Sequence, residues 1–413
     1  MTAWTPDWAI EVNGVGDVTN LVIANLTITS GRSDIYSQPV AGYCRFTILN
    51  LNQSANTFDV NDAVVIKVKN SSGVYVPLFG GDITDIDVTV QTGEPVITQA
   101  ITITALGALS KLPKILTQGV LSKDFDGDQI YEVLSGVLFD SWDEVPTALE
   151  WVNYTATTTW ANAQNAGLGE IDRPGDYELT ARSAETTDIY TLVASLAKSG
   201  LGYIYEDSSG RIGYADSTHR SQYLSDNGYA YVDAGWAYAA GIATSRRLGD
   251  LRNEVTITYK NDAQETASDA ASISTYGYQA ENILTSIENK ADAESQAQFY
   301  LDIRAYPQDQ FKSITFPLTN PNIPDASRDQ ALEIFMGLPL DIEDLPLNIA
   351  SGRYQGFVEG WTWTSRFNAL DLTIIVSPVA FSLQAFRWNS VPIIESWNTI
   401  SPTLDWNNAT IVA

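Results

Sequence analysis

The residue types that most often carry chemistry are scarce in this chain. One histidine, His219, and one cysteine, Cys44, occur in 413 residues. A single imidazole excludes, within this chain, any site that needs two, including the His-Glu-x-x-His zinc proteases. A single thiol excludes an internal disulfide and a thiolate zinc cage. A serine nucleophile would have to use His219, in Ser217-Thr-His-Arg, and no Gly-x-Ser-x-Gly elbow is present. His219 therefore reads as a surface-loop residue. Cys44, in an alternating strand, reads as a small core or surface residue.

The acids are more numerous and equally unspecific. Asp124-Phe-Asp-Gly-Asp begins like a calcium loop, but positions six and twelve are Gln129 and Ser135, not the glycine and glutamate such a loop needs. It reads instead as the acidic first turn of a helix. Asp172 and Asp176 flank Arg173-Pro-Gly and read as a turn. Carboxylate pairs for glycoside hydrolysis are defined by their separation in space, so fifty acids leave that chemistry open. Gly200-Leu-Gly and Gly14-Val-Gly lack the third glycine of a dinucleotide loop, and no Walker loop occurs. The residues imply no cofactor and no metal.

Charge narrows the partners. The net charge is −27, spread as −6 over 1–105, −11 over 106–245, −9 over 246–385 and −1 over 386–413. A general nucleic-acid binder needs a positive stripe that displaces counterions from phosphates, which excludes that class. The acid serves solubility, or a surface that must not hold DNA. A hydrophobic fraction of 44% is enough for sizeable cores. No run of 18 apolar residues appears, so no membrane span is expected. The first residues lack a basic stretch and an apolar core, so no signal peptide is expected, and a reducing cytoplasm is the expected site of synthesis.

The elements that would position a site fall into four segments. Residues 1–105 alternate in Leu26-Thr-Ile-Thr and Cys44-Arg-Phe-Thr-Ile-Leu, with a hairpin around Asn70-Ser-Ser-Gly. Six or so short strands predict a small antiparallel barrel or sandwich, and the barrel is the form taken for the fold class. Residues 106–245 predict an α+β insertion. Helices are expected over 128–139 and 187–199, the second capped by Gly200, followed by a hairpin around Asp207-Ser-Ser-Gly. Residues 246–385 predict a second β-barrel carrying an inserted helix over 289–300 and a final hairpin over 355–376. Residues 386–413 form a tail. The fold class is α+β, mostly β.

The tail carries a repeat. Trp388, Trp397 and Trp406 each precede Asn at a spacing of nine, and Trp142, Trp151 and Trp160 have the same spacing. An odd period cannot be one flat strand, since alternate rings would change face. Each Trp could anchor a loop on its own domain, or the tail could strap onto a neighbouring subunit, or the rings could form a sugar platform. Trp388, Trp397 and Trp406 are the candidate partner-binding residues.

The order barrel, α+β insertion, barrel with helix resembles the tail hub (baseplate hub) proteins of tailed bacteriophages, siphophages among them. Four stretches carry the likeness: Leu78-Phe-Gly-Gly-Asp-Ile, the helix and hairpin 196–212, Asn253-Glu-Val-Thr-Ile-Thr-Tyr with its Ala-rich helix ending Arg304-Ala-Tyr-Pro, and Gly356-Phe-Val-Glu-Gly-Trp-Thr-Trp closing on Leu372-Thr-Ile-Ile-Val-Ser-Pro. The Trp-rich tail is similar to minor tail proteins of actinobacterial siphophages. The resemblance implies a non-enzymatic virion component at the tail tip. It implies a homotrimer whose two barrels per chain give a pseudo-sixfold ring, adapting a sixfold tube to a threefold tip around an acidic DNA channel. Implied partners are a distal tail protein ring, the tape measure protein and a central fibre or other tip proteins, with DNA in transient passage. The tail 386–413 leaves no room for a wall-digesting domain of the kind longer members carry. The alternative is a carbohydrate-binding or glycan-hydrolysing β-protein.

Overall fold

The computed structural model describes residues 4–13, 22–35, 37–50, 58–91, 98–141, 171–238, 242–245, 248–307, 310–346, 352–366 and 368–378. Trp142, Trp151, Trp160 and all three candidate residues, Trp388, Trp397 and Trp406, lie outside the described residues.

The first 107 residues supply six strands: Trp8–Val12, Val22–Gly31, Tyr43–Asn50, Ala63–Lys69, Tyr75–Gln91 and Thr98–Gly107. Apolar residues alternate with polar ones, so each strand has one dry face. Val64, Ile66 and Val68 are buried while Lys67 and Lys69 between and beyond them are not. The Asn70 turn closes as its sequence requires. Asn70 Oδ1 accepts from the amides of Ser72 and Val74, and Gly73 takes φ +83°.

The C-terminal strands Gln310–Pro317, Tyr354–Arg366 and Ala369–Pro378 belong to the same sheet as the first six. Val22–Gly31 makes the join. It pairs with Tyr43–Asn50 on one edge and with Tyr354–Arg366 on the other. The result is a twelve-stranded sheet that curls into a half-barrel. Sequence alternation predicts both sets of strands but not their continuity. That depends on Gly31 and Gly360, which sit opposite each other and let the two backbones approach. A Cβ at Gly31 would lie 2.3 Å from the Glu359 carbonyl oxygen. Ala230–Asp233 and Pro339–Glu343 add a parallel pair at the side, a feature the sequence does not signal.

One core lies on the dry face of this sheet and includes Ile28, Phe46, Ile66, Phe316, Trp361 and Trp363. A second core holds the α+β lobe. Helix Ile189–Ser199 turns Leu192, Val193, Leu196 and Ala197 into it. Each such leucine contributes about 1.5–3 kcal/mol through burial. Asp188 caps the helix by accepting from the Thr191 amide at 2.8 Å, and the Gly200 amide closes on Leu196. The strand Glu254–Tyr259 belongs here, not to the large sheet. It forms a three-stranded sheet with Ala263–Ser268 and Ala280–Leu284. Val255 and Ile257 face helix Lys290–Arg304, whose Ala293 and Ala297 allow close packing. Periodicity announced that strand and helix but could not say which core they share.

Candidate functional site

The wet face of the large sheet is lined by threonine. Cross-strand register aligns Tyr43, Thr29, Thr362, Thr373 and Thr315 in one row across five strands. A second row runs Asp85, Thr104, Arg45, Thr27, Thr364 and Asp371. A third places Asp87 beside Thr102 and Thr47. The hydroxyls link across strands: Thr315 to Thr373 at 2.9 Å, Thr47 to Thr102 at 3.1 Å and Thr29 to Thr362 at 3.4 Å. Threonine is suited to this position because its β-branch favours strands and its hydroxyl bridges to its cross-strand neighbour. The surface offers neutral donors and acceptors over a wide area. The charged side chains in these rows are Asp85 and Asp87, both exposed, the buried Asp371 and the single cation Arg45. Asp371 accepts from the Tyr238 hydroxyl at 2.9 Å.

Behind this face a buried polar junction ties the sheet to the insertion. Glu359 is 1% exposed, on the central strand Tyr354–Arg366. It accepts from Arg32 Nε at 2.6 Å, from Arg220 at 2.7 and 3.0 Å, and from the Ser377 hydroxyl at 2.5 Å. Arg32 comes from the first half of the sheet and Arg220 from helix His219–Asn227. Both guanidiniums lie against the Tyr203 ring, at 5.2 and 4.7 Å. Burial alone would raise the Glu359 carboxyl, but the two guanidiniums outweigh it and hold the group at about 2.

A second tie is Glu206, at the end of strand Tyr203–Glu206. Its carboxylate accepts from the amides of Gly42 at 2.5 Å and Leu109 at 2.9 Å. Burial pushes it up to about 7, with the two amides opposing. Glycine is required around it, since a Cβ at Gly107 would sit 2.0 Å from Glu206 Oε1.

The residues singled out for chemistry are structural. His219 is buried at the start of its helix, not on a surface loop, and its Nδ1 lies 2.7 Å from Asp172 Oδ2. The physical reason is Asp216, whose carboxylate accepts from the amides of Thr218 and His219 and turns the ring inward. Ser217, the nearby hydroxyl, donates to Asp176 and so is not poised as a nucleophile on His219. Asp126, at the first turn of helix Asp126–Ser141, accepts from the amides of Asp176 and Tyr177 and from the Tyr214 hydroxyl. Burial pushes it up to about 7. Cys44 is fully buried. Among the described residues no group of three His, Cys, Asp or Glu side chains could hold a metal ion. Sequence reasoning missed Arg32, Arg220, Glu206 and Glu359. The one available signal was a charged residue at an inward position of an otherwise dry strand, as in Val358-Glu-Gly-Trp.

No protein-family model and no curated protein matches the sequence. Solved structures do match. A tail protein from Neisseria meningitidis MC58 superposes with a TM-score of 0.59 at 11% identity, covering 92% of this chain and 98% of that one. The 43 kDa tail protein of prophage MuSo2 from Shewanella oneidensis gives 0.56 at 10% identity, covering 92% and 100%. A prophage tail protein from Listeria monocytogenes EGD-e gives 0.50 at 9% identity, covering 90% and 95%. The chain has the fold of these phage tail proteins over nearly its whole length.

Proposed function

We propose that this chain is the ring-forming hub of a phage-type tail, a non-enzymatic virion protein at the tail tip. Three copies form the ring, and their threonine faces line the channel that DNA traverses at ejection. A distal tail ring, the tape measure protein and the central tip proteins are its neighbours in this reading.

One observation carries it. From Tyr75–Gln91 to Ile242–Ser245 the large sheet runs through eight strands, every neighbouring pair antiparallel. An even number puts the first and last strands in opposite directions. A copy rotated about an axis along the strands can then set its first edge antiparallel to the last edge of its neighbour. Among the described residues Ile242–Ser245 has no strand on its outer edge, and Tyr75–Gln91 has one along only its first half. Pairing of Tyr75–Gln91 with Ala63–Lys69 stops at Asp82, leaving 84–91 open with Val88 and Val90 half exposed. A long open edge is otherwise an aggregation liability. Ring closure removes it.

The threonine face suits passage of a polyanion. Phosphates bind where cations displace their counterions, and these rows carry one cation against two exposed carboxylates, Asp85 and Asp87. The test is the native mass of the purified chain with imaging of the assembled tail. A species of three times 45.1 kDa, or a threefold ring at the tip, is expected. A tail tip that holds one copy of the chain refutes the reading.

A further inference from the structure

An apolar cleft opens between helix Asp325–Leu332 and the strand Ala230–Asp233. Its floor is Phe316, Leu340, Leu372 and Ile374, all buried. Its mouth is framed by Trp236 and Ala331, and Tyr231 stands over it, its ring edge-on to Trp236 at 6.0 Å. Ser327 and Gln330 supply polar groups at the rim. The opening is dry, with hydrogen-bonding groups only at its lip. That chemistry fits an indole, which buries an apolar body and needs one acceptor for its N–H.

The chain itself carries the fitting group. The last described strand ends at Pro378, opposite Gly356, and Gly356 lies opposite Leu340 in the cleft floor. The C-terminal segment therefore departs within two strand spacings, about 10 Å, of the cleft. Trp388 lies ten residues beyond Pro378. Extended, they span about 33–36 Å, several times the distance required. The segment 386–413 has a net charge of −1 and three Trp-Asn pairs, so it brings rings without repulsion.

We infer that the cleft is the docking site of the C-terminal segment of the same chain, with the Trp388 ring as its anchor. A short tether gives such a segment a millimolar effective concentration, so a contact with a Kd of about 0.1 mM is mostly closed. This holds whether or not three copies form a ring, and its test is independent of the oligomeric state.

Arg387 provides the readout, because trypsin cleaves beside the anchor. In the native full-length chain, cleavage at Arg387 is expected to be slow. Ala331→Arg, which fills the mouth, should speed it at least tenfold, followed by mass spectrometry. Equal rates in both proteins overturn the docking. A second measurement covers misfolding of that variant. Gln330→Cys with Asn389→Cys should form a disulfide within one chain under mild oxidation, since the only natural thiol, Cys44, is buried. A bond formed only between chains, seen as doubled mass on a non-reducing gel, shows that a second copy's tail occupies the cleft. Such a bond, or none at all, overturns the same-chain assignment. The same pairing with Asn398→Cys or Asn407→Cys forming faster overturns Trp388 as the anchor.

Discussion

Replacing Glu359 by glutamine should be among the most damaging single changes in the described fold. The side chain keeps its size, but Arg32 and Arg220 lose their shared counterion in a site where all three residues are under a tenth exposed. Two routes give the magnitude. Breaking a buried ion pair from one side costs about 3–5 kcal/mol. The gap between the ordinary carboxyl value of 4.5 and about 2 in the folded chain corresponds to about 3 kcal/mol. Arg32→Met should cost less, because it leaves one cation facing one anion. The assay is guanidinium denaturation followed by fluorescence of the buried Trp361 and Trp363. The sign of the pH dependence follows from a folded value below the unfolded one. The contribution is complete above about 4.5 and is lost as pH falls toward about 2, so the natural chain and Glu359→Gln should converge in acid. A cost below 1 kcal/mol for Glu359→Gln, or a larger cost for Arg32→Met, refutes the reasoning.

Glu206 should show the opposite dependence. Its folded value near 7 lies above the ordinary 4.5, so its contribution is full below 4.5 and fades as pH rises through 7; Glu206→Gln should flatten that slope in pH-dependent denaturation. Gly107→Ala should destabilise by about 1–3 kcal/mol because its methyl meets the Glu206 carboxylate, whereas Gly249→Ala, with nothing within 4 Å, should stay within about 0.5 kcal/mol. Thr362→Lys alone, which puts no like charge on its partner Thr373, should move the melting transition little and slow DNA ejection from assembled particles, most at low salt; unchanged ejection kinetics would remove the threonine face from the proposed channel.

Local periodicity made most elements legible. Helix Ile189–Ser199 shows its cap, its apolar stripe and its terminal glycine in eleven residues and two flanks. The closing hairpin Tyr354–Arg366 with Ala369–Pro378 shows its alternation. The threonine rows were not legible, although each threonine was in plain view. Thr29, Thr362, Thr373 and Thr315 become neighbours only through registers spanning up to 333 positions. The buried triad was hidden for the same reason. Arg32, Arg220 and Glu359 are each ordinary surface residues by type, and only the meeting of three distant segments makes them a junction. His219 was misplaced because its burial is set by Asp172 and Asp216, which are distant or unremarkable in the sequence.

The composition suggests that a channel in this protein would be lined with carboxylates, and the sheet geometry gives a reason why it would be lined with hydroxyls instead. Strands about 4.8 Å apart place like charges directly opposite each other, which destabilises the sheet. Threonine avoids that repulsion and adds a cross-strand bond. The acids therefore sit where spacing permits, as Asp85 and Asp87 do on the open strand. At physiological salt a charge is felt over about 8 Å. Most of the −27 is then invisible to a phosphate against the sheet, and the near absence of cations on the wet face decides whether it sticks. Arg366 is one exception, at the end of its strand two residues beyond Thr364, and Arg45 is the other. Its row places Thr104 and Thr27 on either side and Asp85 beyond Thr104. Arg45→Gln should therefore lower the residual salt-dependent retention of DNA by the isolated chain, measured by retention on immobilised duplex. Retention that is unchanged by the substitution, or that rises, would show that distant acids govern the surface and would refute this account of it.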